Sequence, residues 1–303
     1  MTKVLISDRT HEVLASSLRK AGLEVVQQPD LDYEGLVAAA QGCDGLVVRS
    51  KVNIDRAFID RVPSLRCIAR VGAGMETIDT AYAESKGVVC LNSPEGNRDA
   101  VGEHTVGILL ALLNNIARAD SEVRRGLWRR EANRGRELGS LTVGIIGYGN
   151  MGQAFAQRLS GFGCPIVIYD KYKRLGSLDE VQATADAVSF HVPLTDETFH
   201  YLDLAFIAKM AKPFYLINTS RGAVVDTGAL VSGLDSGKVL GAALDVLEQE
   251  NMQTDSLASG IQLPPALIDS PRTVLTPHVA GWTVESNYKL AAVLADKIIE
   301  TLR

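Results

Sequence analysis

Residues 144–152 read Gly-Ile-Ile-Gly-Tyr-Gly-Asn-Met-Gly, and Asp170 stands eighteen positions beyond them. The apolar run 141–146 before the loop predicts a buried strand, and 154–162 after it predicts a helix. Gly147, Gly149 and Gly152 are spaced as G-x-G-x-x-G. The first allows a tight turn, the second lets a pyrophosphate approach the backbone, and the third lets helix pack on strand. The pyrophosphate would rest on the free N–H groups of the helix N-terminus. Asp170 closes the apolar run 165–169, where a carboxylate accepts the ribose hydroxyls and repels a 2′-phosphate. Glycines alone often mark only a turn. Strand, helix and spaced acid together predict a dinucleotide site for NAD rather than NADP.

The fingerprint normally opens its domain, yet a complete β/α pattern precedes it here. Strands are predicted at 3–7, 23–26, 45–48, 66–71 and 88–91, with helices at 11–21, 33–40, 54–61 and 77–86. After the loop, strands are predicted at 165–169, 187–191, 215–218, 241–245 and 273–276. This rhythm predicts an α/β fold of two Rossmann-like, doubly wound parallel sheets. A turn-rich break at 92–97 leads into one long helix, 99–124, and a second break at 277–281 leads into a last helix. The expected domains are 1–96 plus 282–303, and an inserted nucleotide domain, 97–281. Two connections between them would form a hinge with a ligand cleft.

At 303 residues with net charge −5, the chain suits two globular domains and argues against a general nucleic-acid binder. The opening residues do not read as a signal peptide. The longest apolar stretch, 106–113, is too short to span a bilayer. Cys43, Cys67, Cys90 and Cys164 show no paired spacing, which fits reduced thiols in a cytoplasmic protein. No metal site is expected.

Three strand ends carry candidate chemistry, because ligands of open α/β sheets bind there. Arg221 follows the strand ending in Asn218; an arbitrary arginine is more often a surface ion pair, but here a guanidinium would face the cleft and hold a carboxylate. Asp245-Val-Leu-Glu-Gln-Glu250 follows another strand. Thr276-Pro277-His278 lies on the second break, and a histidine beside an orienting acid becomes a general acid. His11, His104, His191 and His200 rank as packing or surface residues, with His191 at the border of the cofactor site.

In order along nearly the whole chain, Arg70-Val-Gly-Ala-Gly74, the fingerprint with Asp170, His191-Val-Pro-Leu-Thr195, Asn218-Thr-Ser-Arg-Gly222, Asp245–Glu250 and Pro277-His278 resemble the D-isomer-specific 2-hydroxyacid dehydrogenase family. The resemblance implies NAD-dependent interconversion of a D-2-hydroxy acid and its 2-oxo acid. It implies a catalytic set of Arg221, Glu250 and His278, with Glu250 preferred over Glu248 because the family's acid stands five after the strand-end Asp. It implies cofactor contacts from Gly147, Tyr148, Gly149, Asn150, Met151, Gly152, Asp170, His191, Val192, Pro193, Thr198, Thr219, Ser220, Asp245, His278 and Gly281. Substrate would meet Arg49, Ser50, Arg70, Val71, Gly72, Ala73 and Gly74, together with Arg221 and His278. A homodimer through the nucleotide domains is also implied. The helix around 101–117, apolar on most faces, would be buried in a core or in that interface.

Within the family the phosphoglycerate dehydrogenases, the first step of L-serine biosynthesis, are the expected branch. Arg49 and Lys51 past one strand end, and Arg70, which begins the substrate loop, would hold a substrate phosphate; the plainer reading is solvated loop charges, with Arg70 paired to an acid. A glyoxylate/hydroxypyruvate reductase is the alternative, and an NAD-sensing corepressor-like binding protein or another fingerprint enzyme are the readings from other classes. The stretch 171–177 is short, which predicts an open adenine pocket. The loop 251–270 is long and reads as mobile or functional. Trp282 is expected to pack the last helix on its core. The sequence ends after that helix, which predicts a short form without a C-terminal regulatory domain and without inhibition by serine.

Overall fold

A computed structural model describes residues 1–251, 256–257 and 263–303. The chain forms two compact units: Met1–Asn97 with the described part of Asn251–Ser256 and Trp282–Arg303, and Arg98–Glu250 with the described part of Leu257–Gly281. The second unit is thus inserted in the sequence of the first.

The first unit runs β1 (Lys3–Ile6), α1 (Glu12–Lys20), β2 (Glu24–Gln27), α2 (Tyr33–Ala40), β3 (Gly45–Val48), α3 (Arg56–Arg61), β4 (Cys67–Arg70), α4 (Thr80–Ser85) and β5 (Val89–Leu91). Its sheet is parallel with order β2-β1-β3-β4-β5. Both faces are covered, so the strands read as unbroken apolar runs rather than alternating ones. Val4, Ile6, Val47, Cys67 and Ala69 enter one core cluster, and Leu5, Leu46, Val48 and Ile68 enter the other.

The second unit runs α5 (Arg98–Leu113), α6 (Ile116–Arg124), β6 (Val143–Ile146), α7 (Asn150–Leu159), β7 (Ile166–Tyr169), α8 (Leu178–Thr184), β8 (Ala187–Phe190), α9 (Leu204–Lys209), β9 (Phe214–Asn218), α10 (Thr227–Asp235) and β10 (Val239–Leu244). A short pair, β11 (Glu250–Asn251) and β12 (Ser256–Leu257), then α11 (Pro265–Ile268) and β13 (Thr273–Leu275) follow. The six-stranded parallel sheet has order β13-β10-β9-β8-β6-β7. In each unit the chain first builds outward from the first strand and then reverses, so β1/β3 and β6/β8 are switch points, where open α/β sheets bind ligands.

Two expectations change. The long helix over 99–124 is two helices bent by 60° at Asn114-Asn115. Asn115 takes a left-handed φ of 53°, which ends one helix, while the apolar spacing continues through Ile116 and hides the break. Val106, Ile108, Leu109, Leu112 and Leu113 are buried in the unit's own core, whereas Ile116 is exposed. The helix after the fingerprint begins inside it, at Asn150 rather than at residue 154. The loop 251–270 holds the short α11, and residues 252–255 and 258–262 lie outside the described residues. No single helix among the described residues is long and apolar enough to cross a membrane.

The last helix, α12 (Val284–Leu302), starts with a capping box between Thr283 and Ser286 and returns to the first unit. Leu290, Ala291, Leu294, Ala295 and Ile298 fill the cluster that also holds Leu14 and Leu18 of α1. Leu294→Ala should therefore lower unfolding stability by about 2–5 kcal/mol in urea titration.

Candidate functional site

The fingerprint glycines differ in what surrounds them. Gly147 has φ 89°, and a Cβ there would come to 2.5 Å from His191 O. Gly152 lies against Gly147 O, with no room for a side chain. Gly149 faces open space as the N-cap of α7. A turn, an open cradle and a close helix–strand packing are therefore present in that order, next to the unpaired N–H groups of α7. This is the geometry a pyrophosphate requires.

Asp170 accepts the N–H of Tyr148 at 2.7 Å, of Tyr172 at 3.0 Å and of Lys173 at 2.9 Å. Burial pushes its carboxyl up, but these donors outweigh burial and hold it below the usual range. The short stretch 171–177 folds into a tight turn, with backbone bonds between Asp170 and Leu175. Lys173 Nζ reaches Tyr148 O at 2.7 Å, so the turn closes over the fingerprint's second residue, while Tyr172 stays exposed. Asn150 and Met151 form the first turn of α7.

At the end of β8, His191 is buried, and its Nε2 lies 2.9 Å from Ser189 Oγ. Burial pushes its pKa down to about 3, so the ring is neutral at physiological pH. Val192 packs beside Gly147, and Pro193 O accepts Thr198 Oγ at 2.6 Å, a staple within the 193–198 loop. Thr219 Oγ meets Thr105 Oγ at 3.1 Å, and Ser220 donates to Asn218 Oδ1 at 2.7 Å. Asn218 also donates to Arg221 O at 2.9 Å, which shapes the turn carrying the guanidinium.

The strand-end segments meet in two places. Glu250 Oε2 lies 3.1 Å from His278 Nδ1. Gly222, next to Arg221, presses on Leu247 O, so the arginine turn and the 245–250 segment are in backbone contact. Glu248 instead faces His200, Nε2 to Oε1 at 2.6 Å. Asp245, 1% exposed, holds the loop that presents His278. Its carboxylate accepts Thr276 Oγ at 2.5 Å and the N–H groups of Val279 at 2.9 Å and Ala280 at 2.8 Å. His278 N donates to Asp245 O at 2.7 Å, and His278 adopts φ 54°. Gly281 then ends the unit.

His104 on α5 completes this network, with Nε2 3.0 Å from Thr276 Oγ and 3.4 Å from Asp245 Oδ1. Because the Thr276 proton goes to Asp245, His104 Nε2 must carry the hydrogen between them. His104 and His200 are thus polar partners of site segments, not packing residues, and His11 caps α1. Spacing along the chain carries no sign of bonds formed across 172 and 48 residues.

The first unit places its candidates at its own strand ends. Gly72 O accepts Ser93 N at 2.9 Å, Ala73 O accepts Asn92 Nδ2 at 2.6 Å and Gly74 O accepts Arg70 Nη1 at 2.5 Å. In trans peptides the N–H points opposite to the C=O. The N–H groups of Ala73, Gly74 and Met75 therefore face away from these partners. Arg70 is buried, and its Nη1 bond to Gly74 O braces this loop. Val71 N is tied to Val48 O. Arg49, followed by Ser50, sits at the β1/β3 switch point. Its N donates to Asp8 Oδ2 at 2.9 Å, and its guanidinium lies 4.6 Å over the Trp282 ring. Trp282 is 67% exposed, so it does not pack α12 on the core. Lys51 is exposed and paired to Asp30 at 2.5 Å.

Burial raises the Asp245 carboxyl, but His104, Thr276 and the N–H groups of Ala280 and Val279 outweigh it and lower the pKa. A lowered folded pKa adds stability that is complete above the unfolded value of about 4 and is lost as pH falls through the folded value. Asp245→Asn should therefore be less stable than the parent at neutral pH, and the gap should shrink in urea titrations carried into that acid range.

Residues 106–280 match the family model described as "D-isomer specific 2-hydroxyacid dehydrogenase, NAD binding domain". A D-3-phosphoglycerate dehydrogenase of Methanocaldococcus jannaschii is 33% identical over 100% of this chain, which spans 58% of that relative's length. A hydroxypyruvate reductase of Thermotoga maritima is 35% identical, covering 94% of this chain and 93% of its own. The solved D-lactate dehydrogenase of Aquifex aeolicus, complexed with NAD and lactic acid, superposes with TM-score 0.79 at 26% identity, covering 98% of this chain and 93% of that one. The chain belongs to the D-isomer specific 2-hydroxyacid dehydrogenase family, and residues 106–280 are its NAD binding domain.

Proposed function

We propose that the protein interconverts a D-2-hydroxy acid and its 2-oxo acid with NAD. The observation that carries this is His278 held against Glu250 at 3.1 Å, on a loop fixed by Asp245, in the same unit as the glycine cradle. Arg221 holds the substrate carboxylate in two parallel hydrogen bonds. Bound NADH supplies the hydride that reaches the carbonyl carbon. Protonated His278 gives its proton to the oxygen as negative charge grows there, and Glu250 orients the ring through Nδ1. In the oxidative direction neutral His278 takes the hydroxyl proton. Asp245 fixes the loop that would meet the nicotinamide end of the cofactor, and Asp170 would accept the ribose hydroxyls.

The first unit is assigned substrate choice. We favour 3-phosphoglycerate and 3-phosphohydroxypyruvate, the first step of L-serine biosynthesis, because Arg49 stands at a sheet switch point. The phosphorylated substrate would be held mainly by Arg49, since Arg70 is turned into its own loop. That same inward turn favours glyoxylate or hydroxypyruvate as the second reading. A homodimer through the second unit would cover Ile116, Val123 and Trp128, which are exposed there. The four free cysteines, with Cys67 pushed up to about 12 by burial, suit a reducing cytoplasm.

NADH oxidation with 3-phosphohydroxypyruvate, hydroxypyruvate, glyoxylate and pyruvate tests both levels. Preference for the phosphorylated acid, lost in Arg49→Ala, supports the first reading; unchanged preference in that variant removes Arg49 from it. Inertness toward all four acids contradicts the dehydrogenase assignment. His278→Ala should lower kcat by about 10²–10⁴-fold with NADH affinity nearly intact; equal loss of NADH binding would make His278 structural.

A further inference from the structure

Glu250 reaches His278 only if the 245–250 segment keeps its course, and the structure shows what holds that course. Glu248, two residues earlier, is gripped from two sides. Its Oε2 accepts Thr227 Oγ at 2.6 Å and Thr227 N at 3.1 Å, at the start of α10. Its Oε1 lies 2.6 Å from His200 Nε2. These contacts outweigh burial and hold the Glu248 carboxyl below its usual range, so it is the charged partner.

His200 is itself fixed to the turn that follows Arg221. Its N donates to Ala223 O at 2.8 Å, and its ring stacks on Phe199 at 4.0 Å, with Nδ1 3.7 Å from Asp226 Oδ2. It adopts φ 50°, an uncommon conformation for a residue other than glycine, kept where surrounding contacts over-determine it. Leu247 O against Gly222 completes the contact between the arginine turn and the glutamate segment. The 198–202 loop, the 221–227 turn and the 245–250 segment therefore converge on one hydrogen bond.

We propose that His200 is a positioning residue for the reaction: through Glu248 it fixes the segment that presents Glu250 to His278 and ties it to the turn that carries Arg221. This rests on the dehydrogenase reading above. His200 touches neither substrate nor cofactor in this account, so its loss acts on the chemical step through geometry, and a displacement of about 1 Å can cost up to about 10²-fold in rate.

The test compares His200→Ala with His200→Gln. Both place an ordinary side chain at φ 50°, so the backbone cost is shared, and only Gln offers an amide N–H near the position of Nε2. With the 2-oxo acid that the parent reduces fastest, His200→Ala should lower kcat by about 10-fold while NADH Kd and substrate KM change less than about 2-fold, and Gln should restore at least half of the parent kcat. Unchanged kcat in His200→Ala, Gln as slow as Ala, or NADH affinity falling in step with kcat would overturn the proposal. If His200→Ala does not fold, Glu248→Gln serves: it keeps an acceptor for Thr227 and removes the charge facing His200. It should lower kcat with KM and Kd held, and a parent-like kcat would overturn the proposal. A parent protein inert toward every 2-oxo acid would overturn the underlying reading, and this one with it, whereas an active parent with an unaffected His200→Ala overturns only this one.

Discussion

One buried carboxylate governs the reactive part of the second unit. Asp245 leaves water almost completely, and a charge in that position is tolerable only if hydrogen-bond donors replace its hydration. Thr276, Val279 and Ala280 supply them, and all three belong to the loop around His278. Satisfying the carboxylate therefore forces the loop's path. With the backbone bond from His278 N to Asp245 O, it holds His278 at a left-handed φ, facing Glu250. His104 reaches the same centre from α5, so helix, strand end and loop are locked by one set of charge-assisted bonds.

The same economy of backbone groups recurs where a ligand must be received. At the fingerprint, Gly147 and Gly152 bring strand and helix together and Gly149 leaves the α7 N-terminus open. In the first unit, three carbonyls of the Gly72–Gly74 loop are tied inward, which turns the intervening N–H groups the other way. Both loops lie at the carboxyl ends of parallel strands, where adjoining peptide planes present donors to an anion. Side chains then refine what the backbone offers: Asp170 fixes the turn that follows β7, and Arg49 rests on Trp282.

The two parallel sheets were legible because strands buried on both faces appear as short apolar runs between helical patterns, and most strand ends fall within two residues of the prediction. The break at Asn114-Asn115 was not legible, because Ile116 and Val123 continue an apolar pattern although both face solvent. The start of α7 was misjudged because a glycine loop looks like coil, while Asn150 and Met151 already have helical partners. Trp282 shows why a large apolar residue is a poor guide to burial: its ring is a platform for a guanidinium. For the site, residue types at strand ends pointed to Arg221, to the Asp245–Glu250 segment and to His278, and only the family resemblance chose Glu250 over Glu248. What ties their segments together, Asp245 to Ala280, His104 to Thr276 and His200 to Glu248, depends on pairings between distant stretches of chain that no local spacing encodes.

The central claim is that Glu250 acts on the reaction through His278, in the geometry that Asp245 imposes. A double-mutant cycle on kcat/KM for the best 2-oxo acid, with Glu250→Gln, His278→Ala and the pair, tests it directly. If the two residues work as one unit, adding Glu250→Gln to His278→Ala costs nothing further. Losses that multiply, each single variant contributing its full factor in the pair, would contradict the account.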